Sequence, residues 1–271
     1  MFKKILILTI SMFGLTVLAN TSLTDYPLLV IGASYANGST PFNNGQSPLG
    51  GISVNFGSYV SLGQALIRNR QLPGYVINEA EAGATTFSRS WCPTGATICG
   101  PAGWDSYETM LNKALSRVAL PPTFTEYNAK FVVISMANDC LHSDAFGVPQ
   151  SETSPCTHEQ INQAIDRMIA VGNSAISKGV TPIFEVLPKY QDLDLNLFKS
   201  LFGLEWVIDE ASFNYLRDQM KSRITNELPQ AVILNVWKKF VHIGDGLHPS
   251  PHTSKRAAKV IAEYIESQAK K

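Results

Sequence analysis

The sequence predicts an α/β fold, a three-layer α/β/α sandwich around a five-stranded parallel sheet. Three observations lead there. From Tyr26 onward, short apolar runs alternate with longer amphipathic stretches, the pattern of strands joined by crossover helices. The runs are rich in Val and Ile and apolar on both faces, as strands covered by helices on either side should be. The chain has 271 residues, and the roughly 250 that follow a short leader suit one domain with a sizeable core.

The leader comes first. Lys3-Lys4 is a basic start, Ile5 to Ala19 is an apolar run, and Val17-Leu18-Ala19 has small residues at the positions that define cleavage. This reads as a secretory signal peptide over residues 1–19, cut after Ala19, which leaves 20–271 as a single domain. The run is shorter than the roughly 20 apolar residues of a membrane-spanning helix. No Cys follows the cleavage point directly, so a lipid anchor is not indicated. The expected destination is secreted or periplasmic, with no stable membrane span in the mature chain.

The strands are expected at Tyr26 to Ile31, Tyr75 to Asn78, Phe131 to Ser135, Thr181 to Leu187 and Ala231 to Val236. Helices are expected at Tyr59 to Asn69, Trp104 to Val118, Thr157 to Lys178, Phe213 to Asn226 and Thr253 to Gln268. The third helix has Thr157 as its cap, Gln160 at the capping-box position and Gly179 as its stop. Between the fourth strand and its helix, Tyr190 to Asp209 carries nine large apolar residues from Leu193 to Val207. An extra helix packed on the core is the expected reading; an apolar flap over a pocket is the other.

Charge excludes one class of partner. The chain has 22 basic and 22 acidic residues, and loss of Lys3 and Lys4 would make that 20 against 22. A nearly neutral surface without a basic run gives no electrostatic basis for nucleic-acid binding. Four cysteines in an exported chain point to disulfides. Three pairings are possible, and we expect the local one, Cys92–Cys99 and Cys140–Cys156, because each bridge closes a short loop rich in Pro, Gly, Ser or Thr. A loop of about 15 residues gains roughly 3 kcal/mol from such closure in the chain-entropy picture. No spacing of the CxxC kind supports zinc.

The chemistry gathers at strand ends. In an open parallel sheet, ligands bind beyond the carboxyl ends of the strands. Ser34 in Gly32-Ala33-Ser34-Tyr35 follows the first strand, Gly83 the second and Asn138 the third, while Asp245-Gly246-Leu247-His248-Pro249 lies between the fifth strand and the last helix. A carboxylate three residues before a histidine can hold the imidazole in one tautomer, and that imidazole can take a proton from a serine. Ser34 alone would be an ordinary loop serine, Gly83 a turn glycine and Asn138-Asp139 a turn or cap. Asp139 is read as structural. His242 and His252 fit no common ligand pattern with His248, so no metal is expected. His142 and His158 are read as surface loop residues; Trp91 and Trp104 are read as core, with lining of the pocket or stacking on a sugar as the other reading. The acceptor pattern Asn37-Gly38-Ser39 is taken as coincidence, since a glycan there would obstruct Ser34.

In these blocks the chain resembles the SGNH hydrolase superfamily, also called GDSL esterases and lipases. The four family blocks contribute Ser, Gly, Asn and His in that order and end in Asp-x-x-His, which map onto Ser34, Gly83, Asn138, and Asp245 with His248. The resemblance implies a flavodoxin-like sheet and hydrolysis of carboxylic esters through an acyl-serine. Ser34 would be the nucleophile, His248 the base and Asp245 its orienter. The oxyanion hole would be made by the backbone N–H groups of Ser34 and Gly83 and the Asn138 amide, with no cofactor. Two positions depart from the family pattern: Ala33 stands where Asp usually precedes the serine, and Met136 where Gly usually stands two residues before the Asn. Gly-x-Ser-x-Gly is absent, which argues against an α/β-hydrolase nucleophile elbow. The substrate is left open between a lipid or lysophospholipid and an O-acetylated polysaccharide. An acyltransferase and a catalytically silent carbohydrate-binding protein are the alternatives.

Overall fold

The computed structural model describes residues 23–37, 60–72, 74–90, 103–135, 138–140, 156–202 and 208–269. The leader 1–19, the Cys92–Cys99 pair, Trp91, Met136, His142 and the Gly-rich stretch after Asn37 lie outside them.

Five parallel strands form the central sheet: β1 (Leu28–Ile31), β2 (Val76–Asn78), β7 (Phe131–Ile134), β8 (Thr181–Glu185) and β9 (Val232–Leu234). Their order is β2-β1-β7-β8-β9. Leu29 pairs with Ile77 on one side and Val132 on the other. Every residue of β1 and β7 is buried, as the two-faced apolar pattern requires. All five sequence-derived strands are present, in somewhat shorter form.

The helices are α1 (Leu62–Ile67), α2 (Tyr107–Ser116), α3 (His158–Ser177), α4 (Leu195–Phe202), α5 (Glu210–Glu227) and α6 (Pro251–Gln268). α1 packs on α6, while α2, α3 and α5 pack together. These are the two outer layers of a three-layer sandwich. Caps set the boundaries. Ser61 and Thr157 each complete a capping box, with Gln64 and Gln160 answering back. Ser106, Asp209 and Ser250 cap α2, α5 and α6 by accepting a backbone N–H three residues on. The Asp209 cap starts α5 three residues before Phe213, and the Ser106 cap starts α2 three residues after Trp104. α3 stops at Gly179, whose φ is +74°.

Two small antiparallel ribbons lie outside the pattern read from sequence: β3 (Arg89–Ser90) with β4 (Gly103–Trp104), and β5 (Ala119–Leu120) with β6 (Glu126–Tyr127). Residues from Tyr190 onward form a short 3₁₀ turn and then α4. Phe198 of α4 is buried in the common core, so the extra-helix reading is the one observed. No helix among the described residues is long and apolar enough to cross a membrane.

Candidate active site

The loop between β9 and α6 is built by backbone hydrogen bonds around one carboxylate. Asp245 Oδ1 accepts the backbone N–H groups of Leu247 and His248, each at 2.9 Å. Its Oδ2 meets His248 Nδ1 at 2.5 Å. Burial pushes the Asp245 carboxyl up, but the facing His248 and the three hydrogen bonds outweigh it and hold the group below its ordinary range. Both side chains are almost completely buried. His242 shapes the same loop: its Nδ1 accepts the N–H groups of Gly244 and Gly246 at 3.1 and 3.2 Å. The loop closes through Ile243 N–H to His248 C=O at 2.8 Å.

Gly246 is required by shape as well as by conformation. Its φ is +86°, and a Cβ there would lie 2.0 Å from the Asp194 carbonyl oxygen. Asp194 N–H donates to Gly246 C=O at 2.8 Å, immediately before α4. The Phe198 ring follows, 6.1 Å from the His248 ring centroid. α4 therefore backs the loop that carries the imidazole.

Ser34 sits in the turn directly after β1, 8% exposed. Its neighbour Tyr35 ties this turn to the histidine loop. The Tyr35 hydroxyl donates to Leu247 C=O at 2.7 Å, and the two rings of Tyr35 and His248 lie 6.2 Å apart. Ser34 and His248 are thus each one residue from a direct hydrogen bond between their loops. Asn37 Nδ2 donates to Ala80 C=O at 2.7 Å and is buried, so its side chain is committed to packing.

The second and third blocks are joined as closely. Asn138 donates to Ala84 C=O twice, from Nδ2 at 3.0 Å and from its backbone N–H at 3.3 Å. Gly83, at φ +83°, turns the chain beside that carbonyl. An amide nitrogen carries two hydrogens, and Ala84 takes one from Asn138. Asp139 fastens the two loops from behind, accepting Thr86 N–H at 2.7 Å, the Thr86 hydroxyl, and Arg167 from α3 at 3.0 Å. Trp104 Nε1 donates to Ala82 C=O at 2.7 Å. The Cys140–Cys156 disulfide joins the segment after Asn138 to the start of α3.

Several positions differ from their sequence reading. Asp139 is structural but is a clamp between loops rather than a cap. His158 is the first residue of α3, stacked on Tyr215 at 3.8 Å, and not a loop residue. His242 shapes the Asp245–His248 loop through backbone acceptance, which its lack of ligand spacing did not reveal. No sequence signal marks Tyr35, Arg167 or Trp237; Glu185 is marked as the one charged residue in its apolar run. Among the described residues, no group of three or more His, Cys, Asp or Glu could hold a metal ion.

Comparison with known proteins places this geometry in a known fold. No family model matches the chain, and no curated protein matches it in sequence. Solved structures do match. A carbohydrate acetylesterase from Sinorhizobium meliloti aligns at TM-score 0.57 and 16% identity, covering 90% of this chain and 99% of that one. An aryl esterase from M. smegmatis aligns at TM-score 0.53 and 15% identity over 89% and 99%. A GDSL-like lipase from Bacteroides thetaiotaomicron aligns at TM-score 0.51 and 11% identity over 93% of each chain. The chain shares the fold of GDSL/SGNH-type esterases and lipases.

Proposed function

We propose that this SGNH-fold chain is a serine esterase that hydrolyses carboxylic esters through an acyl-serine intermediate. The observation that carries the reading is the buried Asp245–His248 pair, at 2.5 Å, on a loop hydrogen-bonded to the turn of Ser34. With Nδ1 facing Asp245, Nε2 is the His248 ring nitrogen that would act on the serine. His248 takes the Ser34 Oγ proton as Oγ adds to the ester carbonyl, and returns it to the departing alcohol oxygen. Asp245 fixes the ring and stabilises the imidazolium. The second Asn138 N–H, with the backbone N–H groups of Ser34 and Gly83, serves the oxyanion. One such donor is typically worth roughly 2.7–4 kcal/mol in the transition state. Water, deprotonated by the same His248, then releases the acid and regenerates Ser34.

For substrate, an acetyl or other short acyl ester on a carbohydrate is the better-supported choice. The apolar side chain of Phe198 is spent on the core and on backing His248, which leaves less of the Leu193–Val207 segment for a long acyl chain. Carbohydrate acetylesterases stand among the fold neighbours. We further propose that residues 1–19 direct export and are removed, so that the enzyme meets its substrate outside the cytoplasm; sequencing the mature N-terminus tests this.

The functional test is hydrolysis of p-nitrophenyl esters from acetyl to palmitoyl by wild type and Ser34→Ala. Activity greatest on acetyl and reduced to background in Ser34→Ala is expected, with unchanged circular dichroism. Undiminished hydrolysis by Ser34→Ala would end the reading, and a palmitoyl preference would move the substrate to lipid.

A further inference from the structure

Behind the site, a carboxyl group that the mechanism does not use is fully enclosed. Glu185 is the last residue of β8 and is 1% exposed. Its Oε2 accepts from Ser135 Oγ at 3.1 Å and from Trp237 Nε1 at 3.0 Å. Its Oε1 has no hydrogen-bond partner among the described residues. An aliphatic side chain would fill an interior strand position without burying an acid, so this carboxyl calls for an account.

Its two partners lead to every part of the site. Ser135 directly follows β7, three residues before Asn138, and its Cβ lies 2.6 Å from where a Cβ on Gly32 would stand. Gly32 is two residues before Ser34. Trp237 meets Tyr35 edge to face at 5.3 Å, and the Tyr35 hydroxyl holds Leu247, the residue before His248. Resting on the esterase reading above, we propose that Glu185 is a positioning residue that sets the oxyanion loop, the serine turn and the histidine loop relative to one another.

It works in the neutral form. Burial raises its carboxyl to about 8, against a smaller opposing effect of the Trp237 and Ser135 hydrogen bonds. The titratable group that feels its charge is Tyr107 of α2, itself pushed up by burial first and then by Asp139 and Glu185. No cation acts on Glu185 among the described residues. Above pH 8 the carboxylate would be a buried charge without a counterion, and the strap it forms would have to relax.

A glutamine in its place presents one carbonyl oxygen to both donors and cannot ionise, so it imitates the neutral acid. With p-nitrophenyl acetate at pH 7, Glu185→Gln should keep kcat within about twofold of wild type, while Glu185→Ala loses about tenfold in kcat with little change in KM. Wild-type kcat should fall as pH rises through about 8, and Glu185→Gln should stay level. An alkaline fall retained in Glu185→Gln, or wild-type kcat in Glu185→Ala, overturns the proposal. If Glu185→Ala does not fold, the pH profile of Glu185→Gln decides alone. Labelling by a fluorophosphonate separates the two levels. Wild type that labels at Ser34 with an unchanged Glu185→Gln profile removes only the role of Glu185. Wild type that neither labels nor hydrolyses removes the esterase reading and this proposal with it.

Discussion

Asp245 divides its two oxygens between structure and chemistry. Oδ1 closes a tight turn onto two backbone N–H groups, and Oδ2 holds the imidazole. An asparagine would keep the turn through its carbonyl oxygen but present an N–H to Nδ1, favouring the wrong tautomer. Asp245→Asn should therefore lose on the order of 10³–10⁴ in kcat while retaining native circular dichroism, as steady-state kinetics on p-nitrophenyl acetate would show. A loss under tenfold would mean that His248 does not depend on this carboxylate. The pair was legible in sequence because three residues of spacing suffice to bring it together. His242 was not, because its partners are backbone N–H groups that every residue has. Glu185 was half legible: a charge in an apolar run marks a special position, but its partners Ser135 and Trp237 arrive from 50 and 52 positions away.

At the level of elements, periodicity and caps carried most of the information. Strands such as Phe131–Ile134 are apolar on both faces, and Thr157 with Gln160 announces α3 without any tertiary help. The ribbons β3–β4 and β5–β6 gave no signal, since two-residue strands are too short to show a period. The boundary of α2 was misplaced for a related reason: Trp104 is apolar enough to join the helical pattern, yet Ser106 is the better cap. The Cys140–Cys156 bridge spans 16 positions and anchors the chain just after Asn138 to α3. Cys140→Ser should lower kcat by about tenfold at 25 °C in protein that is still folded by circular dichroism, through a looser Asn138 rather than unfolding. Equal losses of activity and folded fraction would show that the bridge serves stability alone.

For the whole molecule, the strand order β2-β1-β7-β8-β9 reverses direction between β1 and β7. Ser34 and Asn138 follow the strands on either side of that reversal, the place where open parallel sheets generally bind their ligands. The site's buried carboxyls also set how stability varies with pH. Asp245, held low, adds stability at neutral pH that is lost as pH falls through its depressed value. Glu185, held high at about 8, works in the other direction. Its acid form favours the folded state fully below the ordinary carboxylate range, and that advantage drains away as pH climbs to about 8. Urea unfolding at pH 5 and pH 8 should show wild type losing up to roughly 3–4 kcal/mol more than Glu185→Gln over this interval. Parallel losses in the two proteins would place the ionisation of Glu185 elsewhere.

The hydrogen bond from Tyr35 to Leu247 joins positions 212 apart, and this has a meaning in time. On the ribosome Ser34, the proposed nucleophile, emerges with the first strand, and it waits for nearly all the remaining chain before His248, its proposed base, is made. The earlier strands can begin to assemble before the last loop is made, but on the proposed mechanism the serine is not activated until that loop and α6 have docked. On the proposed mechanism, a half-built chain therefore holds a serine without its base.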